Sequence, residues 1–247
     1  MLSKTHTKYI QSLHHKKFRD QYGVFIAEGP KVVLDLLESG KFICRELFAL
    51  AKWLSEHAVL VEKSPGITIT ELQDFDLEKI SALSTPNNVL AVFEKQKEAA
   101  VSNTKGKITL VLDSIQDPGN MGTIIRIADW FGINNIICSP VCADQYNPKV
   151  VQSTMGSLGR VNIFYTALTE WLQKNNDIAI YAASLDGKPV QELSKIGEGI
   201  IIIGNESKGI SEDVLELVNE KITIPKKGKA ESLNAAVAAG ILLSHVC

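Results

Sequence analysis

The chain has little cysteine, and what it has is not paired. Cys44, Cys138, Cys142 and Cys247 include no C-x-x-C unit, and no histidine spacing completes a zinc set. A zinc module is thereby excluded, and unpaired thiols in a reducing compartment are expected. Cys138 and Cys142 straddle the end of an apolar run, as packing or loop residues do. No apolar stretch approaches the roughly 18 residues of a membrane span. The opening M-L-S-K-T-H-T-K lacks the apolar core of a signal peptide. These absences give the expectation of a cytoplasmic protein with no membrane segment and no metal. The pattern G-x-G-x-x-G is also missing, which weighs against a dinucleotide-dependent oxidoreductase. Neither sign of charge dominates: 26 Lys and Arg stand against 28 Asp and Glu. Any nucleic-acid surface must therefore be a local basic patch.

What is present is an ordinary globular composition, 45% hydrophobic and 22% charged over 247 residues, enough for one large domain or two modest ones. The polar run from Glu94 to Lys107 separates two halves and marks a linker over 96–106. Residues 1–95 alternate short patterns: a strand at Val24–Gly29, an amphipathic helix at Lys31–Ser39 stopped by Gly40, and a strand at Val89–Glu94. Residues 107–247 alternate more clearly. Apolar strand-like runs fall at Ile108–Leu112, Asn135–Cys138, Val161–Phe164, Ile178–Ala183, Ile200–Ile203 and Lys221–Ile224. Helical patterns fall at Met121–Phe131, Pro148–Met155, Leu168–Lys174, Glu212–Val218 and Leu233–His245. Alternation of this kind, with almost wholly apolar strands, predicts an α/β fold with a buried parallel sheet. Such sheets bind ligands at the carboxyl ends of their strands.

Three segments of the second half could carry chemistry. Asp117–Arg126, D-P-G-N-M-G-T-I-I-R, puts Asn120 where a helix cap belongs and Arg126 on the second turn of that helix. An ordinary capped helix with one surface arginine fits the same residues. Ile201–Ser211, I-I-I-G-N-E-S-K-G-I-S, ends an apolar strand in a small-residue loop carrying Glu206, with Ser211 at the next helix cap. A ligand loop and a plain strand–loop–helix connection read equally well there. Ile222–Leu243 passes from a strand through Lys226, Lys227 and Lys229 to E-S-L-N and a helix of small residues, which also suits a buried core helix.

In order and wording the three segments resemble the motifs of the SpoU (TrmH-like) class of SPOUT RNA methyltransferases. The matches are N-x-G-x-x-x-R at Asn120–Arg126, G-N-E-x-x-G at Gly204–Gly209 and I-P-x-x-G-x-x-E-S-L-N at Ile224–Asn234. Asn147–Val161 resembles the region between the family's first two motifs. The K-F-R-D-Q-Y-G-V-F-I-A-E-G stretch at Lys17–Gly29 resembles the substrate-binding domain that many members carry in front. Two small departures stand in the third motif: Lys226 replaces a common methionine, and Ala235-Ala236 replaces a frequent Val-Ser.

The resemblance implies a parallel-sheet SPOUT domain closed by a trefoil knot, preceded by a small α/β ribosomal-protein-like RNA-binding domain. It implies S-adenosylmethionine as cofactor, lined by the backbone at Ile203, Gly204, Ile224 and Leu233. It implies methylation of a ribose 2′-hydroxyl with Arg126, Asn120, Glu206, Ser232 and Asn234 in the site, and a homodimer with the site near the subunit interface. Ribosomal RNA is favoured over tRNA because of the appended domain. A non-catalytic RNA-binding assembly factor is the other reading, and intact Arg126 and E-S-L-N argue against it. For RNA contact the best local patch is the first 31 residues, where six basic residues face two acidic ones; Lys16, Lys17 and Arg19 are its candidates.

Overall fold

The computed structural model describes residues 2–62, 66–83, 85–97 and 104–247; residues 98–103, inside the expected linker, lie outside these. The chain forms two compact units. One comprises Met1–Lys97 with Asp144–Arg160, the other Glu98–Ala143 with Val161–Cys247.

The first unit opens with α1 (Lys4–Ser12), α2 (Lys16–Tyr22), β1 (Val24–Glu28), α3 (Pro30–Ser39), β2 (Cys44–Leu50) and α4 (Ala51–Glu56). It continues with α5 (Ala58–Glu62), β3 (Thr68–Leu72), α6 (Asp74–Ile80) and β4 (Val89–Glu94). Its sheet has the order β1-β4-β2-β3, antiparallel except between β2 and β3. The local reasons are plain in the sequence. Ser3 caps α1 by accepting from His6 N. Pro30 begins α3, and Gly40 ends it in the left-handed conformation at φ 62°. Along β1 the side chains alternate. Val24 and Ile26 join a core with Ile10 of α1, Leu13 just past its end, and Leu77 and Ile80 of α6. Phe25 instead meets Phe93 at 5.6 Å and Tyr146 at 4.8 Å between ring centroids.

The second unit begins with β5 (Ile108–Leu112), α7 (Pro118–Trp130) and β6 (Asn135–Cys138). The chain then contributes α8 (Pro148–Ser153) to the first unit, where it packs along the edge strand β1. Asn147 caps α8 by accepting from Lys149 N. Two glycines nearby are needed for close approach: a Cβ at Gly156 would lie 2.4 Å from an Asp35 oxygen, and one at Gly159 2.8 Å from Ser39. The second unit resumes with β7 (Asn162–Tyr165), α9 (Leu168–Lys174), β8 (Ile180–Pro189) and β9 (Gly199–Ile203). It ends with α10 (Glu212–Leu215), β10 (Glu220–Thr223) and α11 (Ala235–Val246).

The second sheet is six-stranded and parallel throughout, in the order β10-β8-β9-β5-β6-β7. The parallel-sheet α/β expectation is met. All five residues of β9 are buried, as a central strand covered on both faces requires. Val111, Ile137, Ile180, Ile200 and Ile202 form one core with Trp171 and Leu172 of α9 and Val214 of α10. Helices α7 and α11 pack on each other and bury Ile124, Ile125, Ala128, Ala239 and Leu243. Because the strands run parallel, the loops after β5, β9 and β10 all leave the sheet by its carboxyl edge, the usual place for a ligand crevice.

Two local expectations change. The helix start expected at Asn120 is moved to Pro118, and the cap is Asp117, whose side chain accepts from Asn120 N at 2.8 Å. Proline at the first helical position presets the helical φ, so the residue before it takes the cap. Strand β8 runs to Pro189, because Lys188 and Pro189 pair with Ile222 and Thr223 across a shifted register. Among the described residues no helix is long and apolar enough to cross a membrane.

Candidate active site

The three motif segments leave the carboxyl edge of the second sheet and meet through one side chain. Relieved of capping duty, Asn120 uses both ends of its amide. Its Nδ2 donates to Glu206 Oε1, and its Oδ1 accepts from Asn234 Nδ2 at 2.8 Å. Asn234 in turn caps α11, accepting from Ala236 N at 3.0 Å and Val237 N at 3.2 Å. A hydrogen-bonded row Asn234–Asn120–Glu206 thus ties the third motif to the first and the second. Three expected catalytic residues are brought together.

Arg126 lies on the exposed face of α7, in line with Thr123 and Trp130. It forms no hydrogen bond or ion pair with another described residue, so its guanidinium is presented to solvent. Ser232 is exposed on the loop before α11 and likewise has no partner among the described residues. That loop also carries the exposed Lys226, Lys227 and Lys229.

The Gly204–Gly209 loop is pinned by residues the sequence reading passed over. Asn205 N and Gly209 N exchange hydrogen bonds with each other's carbonyls at 2.9 Å. Asn205 Nδ2 donates to Ser114 O at 2.8 Å, while its Oδ1 accepts from Ser207 N and Lys208 N. A Cβ at Gly204 would lie 2.4 Å from Gly209 C, so this glycine serves the folding-back of the loop itself. Below it sits Asp113, 4% exposed. It accepts from Ser211 N and Ser211 Oγ, both at 2.8 Å, and from Ser114 Oγ at 2.9 Å. Ser211 occupies the cap position of α10, as expected, yet its hydroxyl goes to Asp113 instead of the helix. One signal could have found Asp113: a carboxylate directly after an apolar strand needs partners when it is buried.

Of the expected cofactor-lining backbone, Ile203 is buried and its carbonyl accepts from Asp113 N at 2.9 Å. Gly204 begins the pinned loop. From Ile224 to Leu233 no backbone group bonds to another described residue. An open N–H or C=O must find water or a ligand, and an adenine edge and an amino-acid tail are groups that such a strand of peptide can hold. The residues fit that cofactor. Among the described residues no three His, Cys, Asp or Glu stand close enough to hold a metal ion.

In the first unit Lys16 and Lys17 are exposed, as the basic patch requires. Arg19 is not: it is 1% exposed, donates to Leu13 O and His14 O, and pairs with Asp144 at 2.7 Å. A guanidinium that deep and that engaged has no face left for an RNA phosphate, so the expected patch is reduced to lysines. The four cysteines are free thiols, with Cys138 buried in β6 and Cys142 buried in the loop that follows.

Residues 107–244 match the model of the SpoU rRNA Methylase family, and residues 4–91 match that of an MRM3-like substrate binding domain. The chain is 31% identical over 239 residues to the 23S rRNA (guanosine(2553)-2'-O)-methyltransferase RlmP of Bacillus subtilis (strain 168), covering 96% of this chain and 93% of that one. A solved TrmH-family protein from Porphyromonas gingivalis superimposes with a TM-score of 0.88 at 36% identity, over 99% of this chain and 98% of the other. An AdoMet-bound rRNA methyltransferase from Sinorhizobium meliloti gives 0.88 at 28% identity, over 100% and 96%.

Proposed function

Because the chain belongs to the SpoU rRNA methylase family, we propose that it transfers the methyl group of S-adenosylmethionine to the 2′-hydroxyl of a ribose in ribosomal RNA. The observation that carries this reading is the row Asn234–Asn120–Glu206 beside an unengaged Arg126. The relative from B. subtilis, by its name, acts on 23S rRNA. A location in the cytoplasm accords with such a substrate.

S-adenosylmethionine brings a methyl group already activated by its sulfonium charge. The backbone at Ile203, Gly204, Ile224 and Leu233 would hold it. The chain's own residues then have two tasks, alignment and removal of the hydroxyl proton. The guanidinium of Arg126 offers donors and no acceptor. It therefore serves as a bidentate clamp on the phosphate next to the target ribose, not as the base. Asn120 holds Glu206 in place with one end of its amide and is itself held by Asn234. The second carboxylate oxygen of Glu206 supports a role in taking the proton. Ser232, on the solvated loop, contributes a hydroxyl to the ribose. Lys16 and Lys17 add sequence-independent attraction for the RNA backbone.

The active form is a homodimer. Trp130 is 83% exposed at the end of α7, with Val237 and Leu233 exposed on and before α11. A large bared aromatic and exposed aliphatic residues on two packed helices mark a surface that a second copy covers. Arg126 shares that helix face, which supports a site near the subunit boundary.

Methyl transfer from labelled S-adenosylmethionine to total ribosomal RNA and total tRNA, with wild type and Arg126→Ala, tests the reading. Label recovered as a 2′-O-methylnucleoside from ribosomal RNA, and lost in the variant, is the expected result. Label in tRNA alone would overturn the substrate. No transfer together with no binding of the cofactor would overturn the reaction.

A further inference from the structure

The first unit contains a cavity of about 300 Å³ that the reaction does not use. Its apolar walls are Ile26, Leu83 and Pro148, and its polar groups are Glu28, Gln152 and Ser153. Three distant stretches of sequence build it: β1, the loop after α6, and α8. Apolar walls with a few converging polar groups are the composition of a small-ligand site.

The informative residue is Glu28. It is 7% exposed and stands at the end of an otherwise apolar strand. Its carboxylate is held in place: Oε2 accepts from Ser81 Oγ at 2.5 Å and Oε1 from Ala82 N, on the cavity wall, at 3.0 Å. Each oxygen retains a second lone pair able to accept a further donor. A partner that engages this carboxylate from the cavity is one that presents donors, two of them side by side to reach both oxygens. Among the four RNA bases only guanine does this on one edge, through N1–H and N2–H. Adenine and cytosine set an acceptor beside their donor, and uracil flanks its single donor with acceptors. The apolar walls suit the faces of a planar base. Unstacked bases in single-stranded RNA are recognised in this way, by their Watson–Crick edges.

We propose that this cavity is a base-recognition subsite that takes an unpaired guanine of the RNA substrate against Glu28. The proposal rests on the reading of the first unit as RNA-binding, and the test separates the two. Full-length protein is titrated with fluorescein-labelled uridine-rich ten-mers carrying one central guanosine, inosine or adenosine. Inosine lacks only the N2 amine. The guanosine strand should bind roughly tenfold tighter than the inosine strand, the discrimination expected of one bidentate pair. Glu28→Gln should bring the two strands to equal affinity. Ser153→Trp, which fills the cavity from α8 and leaves Glu28 unsubstituted, should do the same and guards against a folding defect in the first variant. Calorimetric melting of both variants confirms that they are folded. Equal binding of all three strands by the wild type would overturn the subsite while leaving RNA binding intact. So would a guanosine preference that survives Ser153→Trp. Failure to bind any strand would overturn the RNA reading itself, and the subsite with it.

Discussion

Asp113→Asn isolates what holds the Gly204–Gly209 loop to the sheet. The wild-type carboxylate accepts three hydrogen bonds inside a site that is 4% exposed. An asparagine of the same size keeps one acceptor and turns a donor toward the others. Hydrogen bonds to a charged group are each worth about 1.5–3 kcal/mol net, against about 1 for neutral pairs. Losing the charge on three bonds and opposing one donor with another therefore costs roughly 2–3 kcal/mol. For a chain of this size that lowers the melting temperature by roughly 5–10 °C. Ser211→Ala removes only the hydroxyl bond and leaves the bond from Ser211 N, so it should cost about 1.5–3 kcal/mol. In the double variant the two losses should not add, because the hydroxyl has already lost its carboxylate. Differential scanning calorimetry reads all three, and a loosened loop should also raise KM for S-adenosylmethionine more than it lowers kcat. If Asp113→Asn melts within about 1 °C of wild type, the clamp contributes nothing and the argument fails.

Asn234→Ala should lose the cap of α11, about 1 kcal/mol, together with most of the activity. Asn234→Asp keeps an acceptor for Ala236 N and Val237 N but cannot donate to Asn120, so stability should return without activity; an active Asn234→Asp enzyme would refute the row. Burial holds the Lys41 ammonium down at about 8 instead of the usual 10.5. Below pH 8 the folded state must carry a desolvated charge that the unfolded chain leaves in water, and that penalty fades as pH rises toward 10.5. Urea midpoints at pH 7 to 10 should move in favour of wild type over Lys41→Met, and a gap independent of pH would contradict this. Trp130→Glu should convert dimer to monomer in size-exclusion chromatography with light scattering and abolish methyl transfer, while an unchanged mass would exclude the α7–α11 face as the interface.

The sequence spoke clearly where the signal is local. Strands β5 and β6 and helix α9 begin and end where their apolar patterns do, since a strand or helix that buries one continuous face writes its period into its residues. The motif residues were legible one by one. The bond from Asn120 to Asn234 was not, because it joins positions 114 residues apart. The cap shift to Asp117 was readable in principle from Pro118, but the motif drew attention to Asn120. Arg19 sits in K-K-F-R-D-Q-Y, which looks like a solvated helix; only Asp144, 125 residues on, turns it inward. The extra length of β8 likewise depends on β10, whose register no local pattern encodes.

The first unit has a consequence for synthesis. The ribosome makes Met1–Lys97 before it makes Asp144 and Tyr146, and until then Arg19 has no carboxylate to face and Phe25 lacks one of its three ring partners. A nascent amino-terminal half must therefore wait, with an uncompensated cation in its interior, while some fifty further residues are translated, at about 5–20 residues per second. For those seconds it is a client for chaperones. The same debt falls on any fragment cut at the linker, which would have to be made with residues 144–160 restored by fusion before it could serve as an isolated RNA-binding module.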